Sequence, residues 1–95
     1  MSIFLNNFTR VMTLIMKIAL LRASFSFSVT SWWRTVKRNN DVGGLPKSLH
    51  LKGLALDIVL DNLEDDEEFK AAAGDLGIHV YKEDDHLHCY ERSFV

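Results

Sequence analysis

Two imidazoles and one carboxylate in the C-terminal two-thirds of the chain are the residues most able to do chemistry: His50, Asp57 and, 31 residues further on, His88. They make a ligand set that zinc accepts. Three protein ligands also leave a fourth position for water, as catalytic zinc sites do and closed structural sites do not. Gly53 permits a tight turn between His50 and Asp57. Ala55, two residues before Asp57 on the same strand face, leaves room beside the carboxylate for an ion or a substrate. His86 and His88 are two apart on a strand and so share a face, with Leu87 and Cys89 on the other. One of the pair could bind metal while the other faces substrate. Taken singly, a histidine is more often a surface or core residue than a ligand, so spacing alone leaves the zinc reading open.

The elements that must position these residues can be read from hydrophobic spacing. Phe4, Phe8, Val11, Ile15, Ile18 and Leu21 recur at steps of three and four and predict a first helix with one buried face. Phe25, Phe27 and Val29 alternate with Ser24, Ser26, Ser28 and Thr30, predicting a half-buried strand. Residues 31–49 gather Asn39-Asn40-Asp41, Gly43-Gly44 and Pro46 and read as a long loop, and loops of that length commonly carry function. Leu54 to Leu60 predicts a more buried strand, with Leu54, Leu56 and Ile58 on one face and Ala55 and Asp57 on the other. The acidic run Glu64–Glu68, followed by Phe69 to Gly74, predicts a helix whose solvated start is rich in negative charge and whose stop is Gly74; a calcium-binding or partner-binding surface is the rival reading of that run. Ile78–Tyr81 and His86–Tyr90 predict a hairpin turning through Lys82 to Asp85. The fold class expected is α+β: a small antiparallel sheet flanked by helices, with helices on one side and a zinc cleft on the other.

Length and composition bound the rest. Ninety-five residues, 47% hydrophobic and 25% charged, fit one domain, 1–95, burying about 60–65% of its unfolded surface. A single cysteine excludes an intrachain disulfide, so a bound metal is one of the few staples such a small chain could use. Residues 1–56 hold eight Lys and Arg against Asp41, a balance of +7, while residues 57–95 hold three against twelve acids, a balance of -9. The basic residues are spread singly, with no cluster longer than Lys37-Arg38, which argues against nucleic acid as a partner. The apolar stretch Val11 to Leu21 contains Lys17 and is too short to span a bilayer. It could pass for the apolar part of a secretory signal, but Arg22 ends it and no clean small-x-small site follows, so a helix is the reading adopted.

The run Ser48-x-His50-x-x-Gly53-x-Ala55-x-Asp57 resembles the S-x-H-x-x-G-x-A-x-D signature of the zinc D-Ala-D-Ala carboxypeptidase family of murein peptidases. Upstream, Val29-Thr30-Ser31-Trp32-Trp33-Arg34, Asn39 and Val42-Gly43-Gly44 are similar to that family's strand, arginine segment, asparagine and glycine pair. Downstream, His86-Leu87-His88 resembles the terminal H-x-H element of some members and of the related hedgehog signalling domain. The resemblance covers residues 29–60 and 77–92.

The resemblance implies that His50, Asp57 and His88 hold Zn²⁺, that water cleaves a peptide bond without a covalent intermediate, and that the substrate is a peptidoglycan stem peptide, cut by carboxypeptidase or endopeptidase action. It implies that Arg34 contacts substrate, as a guanidinium suits a carboxylate or a developing oxyanion, and that Ser48 supports the ligand loop or hydrogen-bonds substrate. The general base departs from the family pattern. Where many relatives have E-x-x-H, Asp85 stands three before His88; Glu83 follows Tyr81 as in a hedgehog-like Y-x-E; His86 matches the histidine two before the ligand in other members. Glu83 is favoured, then His86, and either group is chemically able to take the proton. Trp32 and Trp33 replace the small residue and tyrosine usual before the arginine, and are expected to narrow or stiffen the site.

Cys89 is expected to be a small buried hydrophobe, and His79 is not assigned to metal. Lys47 and Lys52 flank the His50 turn and could attract anionic peptides, although lysines beside turns are common. The expected site of action is the cell wall or periplasm, reached as a monomer and without a convincing signal peptide, as in a virus-encoded enzyme released at lysis or delivered when the virus enters, or in a bacterial wall-remodelling enzyme exported by another route. The rivals are a zinc-bearing interaction domain that has lost hydrolysis, and a nucleic-acid module stacking bases on Trp32-Trp33.

Overall fold

The structure is a computed structural model and describes residues 3–45 and 48–91. Seven elements follow in order: α1 (Ile3–Arg22), β1 (Phe27–Ser31), α2 (Val36–Asp41), β2 (Ala55–Leu60), α3 (Asp66–Asp75), β3 (Ile78–Lys82) and β4 (Leu87–Glu91), with a 3-10 turn at Leu49–Lys52. The four strands form one antiparallel sheet in the order β1-β2-β4-β3. The α+β class expected from the sequence is the class observed. No helix among the described residues is long and apolar enough to cross a membrane.

Strand alternation divides the sheet into two faces. Leu56, Ile58 and Leu60 of β2, Leu87 and Cys89 of β4, and Ile78 and Val80 of β3 meet Leu14, Ile18 and Leu21 of α1 and Phe69 and Ala73 of α3 in one core. Phe69 is fully buried and takes Phe25 and Phe27 edge to face at 5.3 and 5.6 Å, which ties the entry of β1 to α3. The opposite face carries Asp57 and His88, cross-strand partners in the β2–β4 register.

Several expectations shift by a few residues. The buried stripe of α1 is Val11, Leu14, Ile18 and Leu21; Phe8 is 55% exposed and Ile15 36%, because the sheet and α3 cover only one flank of the helix. The Phe4 side chain lies outside the described residues. Val29 shares a face with its partner Ile58 yet is 42% exposed, since β1 is an edge strand of the sheet. The stretch 31–49 is not loop throughout: Thr35 caps α2, its hydroxyl accepting from the Arg38 N–H at 3.0 Å, so the second helix stands on the cleft side of the sheet. Helix α3 runs through Gly74, and the left-handed residue that ends it is Gly77, with φ 82°. Strand β3 extends to Lys82, and β4 starts at Leu87, leaving His86 in the turn.

Lys17, which interrupts the apolar stretch of α1, has a partner in the fold. Its ammonium lies 2.7 Å from Glu91 Oε1 at the end of β4, where Glu91 is almost wholly buried. The pair fastens α1 to a central strand. Removing one member of a buried pair costs about 3–5 kcal/mol; a quarter of the Lys17 side chain stays in water, which moderates that cost. Lys17→Met is therefore expected to lower unfolding stability by about 2 kcal/mol, read from urea denaturation midpoints.

Candidate metal centre and cleft

The position of Asp57 follows from its strand. β2 is central, its odd residues face away from the core, and Asp57 is 5% exposed. Its partner across one ladder is His88 and across the other Ser31. The second pairing depends on a bulge: Val29 pairs with Ile58 and Ser31 with Asp57, so Thr30 is the extra residue. That insertion turns Ser31, and the chain leading to Arg34, onto the face of Asp57.

His50 reaches the same point from the 3-10 turn. Ser48 caps the turn, its Oγ accepting the His50 N–H at 3.2 Å. Gly53 ends it in the left-handed conformation, with φ 71°, and any side chain there would collide with the Trp33 ring. The turn is also bound to the Trp32–Arg34 segment. Trp32 Nε1 donates to the Gly53 carbonyl at 2.9 Å, Trp33 Nε1 to that of Leu51 at 3.1 Å, and the Arg34 N–H to that of His50 at 2.9 Å. The two tryptophans thus stiffen the turn that carries His50.

Around Asp57 the polar atoms converge. His50 Nε2 lies 3.2 Å and His88 Nδ1 3.1 Å from Oδ1, and His86 Nε2 lies 3.6 Å from it. The other oxygen accepts from Arg34 Nη2 at 3.0 Å. Arg34 is itself held, donating from Nε to Ser31 Oγ at 3.1 Å and from Nη1 to Asn39 Oδ1 at 3.3 Å. Asn39 is buried, donates to the Leu45 carbonyl at 2.8 Å and lies against Gly44, where any side chain would collide with it. Arg34 keeps further N–H groups on its terminal nitrogens.

His50, Asp57 and His88 offer one ligand atom each, all within 4.8 Å of one another, and could hold a metal ion. The donor chemistry fits zinc. His50 Nδ1 lies 2.7 Å from the Trp32 carbonyl, which can only accept, so Nδ1 carries a proton and Nε2 is left to face Asp57. A neutral imidazole would then oppose its lone pair to a carboxylate, and only a cation between them, a proton or a metal ion, relieves that contact. The 3.1–3.2 Å separations are close to the about 3.3 Å edge of a tetrahedron whose ligands sit about 2.0–2.1 Å from zinc.

The cluster opens into a cleft of about 600 Å³, whose lining includes Arg34, Arg38, Val42, Gly44, Leu45, Ser48, Glu83, Asp85 and His86. Glu83 Oε2 lies 3.3 Å from His86 Nε2, and the exposed Asp85 accepts from His86 Nδ1 at 2.7 Å. Burial works against the charge on His86, but the bond to Asp85 and the charges of Asp57, Glu83 and Asp85 outweigh it and raise its pKa. Cys89 faces the core, where burial, aided by the charge of Asp57, pushes its thiol up to about 12; it is neither ligand nor nucleophile.

Two expectations end elsewhere, and a third falls on a residue that is not described. Ala55 is fully enclosed and does not line the cleft, so its small size does not make room for a ligand. Lys52 lies outside the cleft lining, and its carbonyl accepts from Asn7 Nδ2 at 3.3 Å. Lys47 lies outside the described residues. Ser31 enters the sequence reading only as part of the segment leading to Arg34, and its bond to that guanidinium follows from the bulge; Arg38 has no place in the site there, and it reaches the cleft on a helix that the sequence reading takes for loop.

The sequence profile of the family described as Peptidase M15 matches residues 4–90 of the chain. No curated protein and no solved structure matches it.

Burial opposes ionisation of Asp57, but hydrogen bonds from His50 and His88 and the charges of His50 and His86 prevail and hold it well below the ordinary carboxylate range. A depressed folded-state pKa stabilises fully above the unfolded value of about 3.9, and the contribution is lost as pH falls through the folded value. The metal-free protein is expected to lose stability progressively below about pH 4, and Asp57→Asn to show a shallower loss, measured as urea midpoints against pH.

Proposed function

The chain belongs to the Peptidase M15 family, the zinc D-Ala-D-Ala carboxypeptidases, and on that premise we propose that it hydrolyses a peptide bond in peptidoglycan stem peptides, acting in the cell wall or periplasm. The observation that carries this reading is the Asp57-centred cluster at the base of an open cleft, where His50, Asp57 and His88 would hold one zinc ion. Zinc bound there would polarise a carbonyl and bring the pKa of water down to about 7. The remaining work falls to the chain's own side chains.

Glu83 is the proton acceptor in this reading. Its carboxylate lines the cleft beside His86, is half in solvent, and needs no rearrangement of the sheet to exchange a proton with water. His86, held at Nδ1 by Asp85 and favoured in its charged form, orients Glu83 and can return a proton to the leaving amine. Asp85 acts through His86, as its own carboxylate is turned to that ring. Arg34 fixes the Asp57 carboxylate and has N–H groups to spare for an oxyanion. Ser48 holds the ligand turn, and its hydroxyl proton remains available to a substrate carbonyl.

The test is mass spectrometry of stem-peptide muropeptides incubated with zinc-loaded protein. New fragments are expected, absent after chelation, and their masses name the bond. Glu83→Gln is expected to lower kcat by about 10²–10⁴-fold while still binding one equivalent of zinc. Stoichiometric zinc with no fragment from any muropeptide would instead assign the chain to the zinc-bearing interaction domains.

A further inference from the structure

Helix α1 is apolar on two sides. One side, Val11, Leu14, Ile18 and Leu21, is buried against the sheet and α3. The other carries Phe8, Met12, Ile15, Met16 and Leu20, all exposed, with Met16 at 64% and Leu20 at 61%. At 3.6 residues per turn these five share a band about 140° wide. Single exposed apolar side chains are ordinary on a protein surface, but a row of five long ones along one helix marks a surface of contact.

Charge distinguishes among the partners that could cover this band. Helix α1 carries Arg10, Lys17 and Arg22 and no acid, and the first acid of the chain is Asp41. Lys17 is turned to Glu91 of β4, while Arg22 is exposed at the end of the band, 5.1 Å from the Phe27 ring centroid. The other acids stand from Asp57 onward, on β2, α3 and the chain around β3 and β4. A second copy laid on the band would set two basic helices side by side with no acid on either to answer them. Five side chains from each copy also fall short of the about 20–30 residues a side of a stable interface. An anionic lipid surface meets both conditions, because its headgroups attract the arginines and its acyl chains take up the band. No helix among the described residues is long and apolar enough to cross a membrane, so α1 would lie along the surface.

We propose that α1 docks the protein on an anionic bilayer, with Phe8, Met12, Ile15, Met16 and Leu20 inserted at the boundary of headgroups and acyl chains and Arg22 at the level of the headgroups. The helix keeps its core contacts, since its two apolar sides are separate. Asp57 and His88 point from the opposite face of the sheet, so a bilayer seated on α1 leaves the cleft open to the water side. Docking of this kind goes beyond peptide hydrolysis and is independent of it.

The test is co-sedimentation of the full chain with vesicles of phosphatidylcholine alone and of equal parts phosphatidylcholine and phosphatidylglycerol, with sedimentation equilibrium of the protein alone in the same buffer. The wild type is expected to bind the anionic vesicles about fivefold more tightly than the neutral ones, the gain from one cationic side chain at the surface, and to lose that gain at high salt. Met16→Gln combined with Leu20→Gln is expected to weaken binding about tenfold. Its urea midpoint is expected to match the wild type, because both side chains are exposed. Met16→Leu combined with Leu20→Met keeps the band apolar and is expected to bind as the wild type does. Absence of vesicle binding, binding unchanged in the glutamine variant, or equal affinity for the two vesicles at low salt overturns the proposal. A dimer that the glutamine variant disperses, without vesicle binding, overturns it and assigns the band to a second copy.

Discussion

An ionised carboxylate set into the covered face of a four-stranded sheet must be compensated from every direction, and most of the cleft side of this fold exists to do that for Asp57. One oxygen accepts from Arg34, and the other faces the rings of His50 and His88. An unpaired buried charge would cost several kcal/mol, so the arrangement is one in which each partner is needed by the others. The bulge at Thr30 brings Ser31 and Arg34 into range, Asn39 and Gly44 fix the far side of the guanidinium, and the tryptophan hydrogen bonds hold the His50 turn.

The site shares its rigidity with the core. β2 and β4 are the two central strands, and each alternates between the faces: Leu56 and Ile58 pack inward while Asp57 points out, and Leu87 and Cys89 pack inward while His88 points out. Displacing Asp57 or His88 therefore means displacing packed aliphatic side chains. The other polar groups that line the cleft come from less constrained places. Glu83 and His86 sit in a turn, and Arg38 on a short helix at the surface.

Much of this was legible in the sequence because the determinants are local. Alternation placed Asp57 opposite Leu56 and Ile58, and the two-residue step put His86 and His88 on one face, as the distances from both rings to Asp57 reflect. The signature around His50 named the residues that the fold brings together. What was hidden is non-local. A bulge is a relation between two strands and leaves no mark in one of them, so Ser31 read as the first residue of the loop 31–49 and not as a strand partner of Asp57. Helix α2 is six residues of Val, Lys, Arg, Asn and Asp with no apolar periodicity, held by its Thr35 cap and its contact with the His50 turn, so turn-forming residues dominated the reading. On α1, spacing fitted Phe8 and Ile15 as well as Leu14; the positions of the sheet and α3 decide which flank is covered.

The central claim is that the Asp57 cluster is a zinc site built from two imidazoles and a carboxylate. X-ray absorption at the zinc edge of protein loaded with one equivalent tests it most directly. The account predicts a shell of nitrogen and oxygen at about 2.0–2.1 Å with the multiple-scattering pattern of two imidazoles, and no sulfur at about 2.3 Å. A sulfur shell, or a shell of oxygen alone without imidazole scattering, would contradict it.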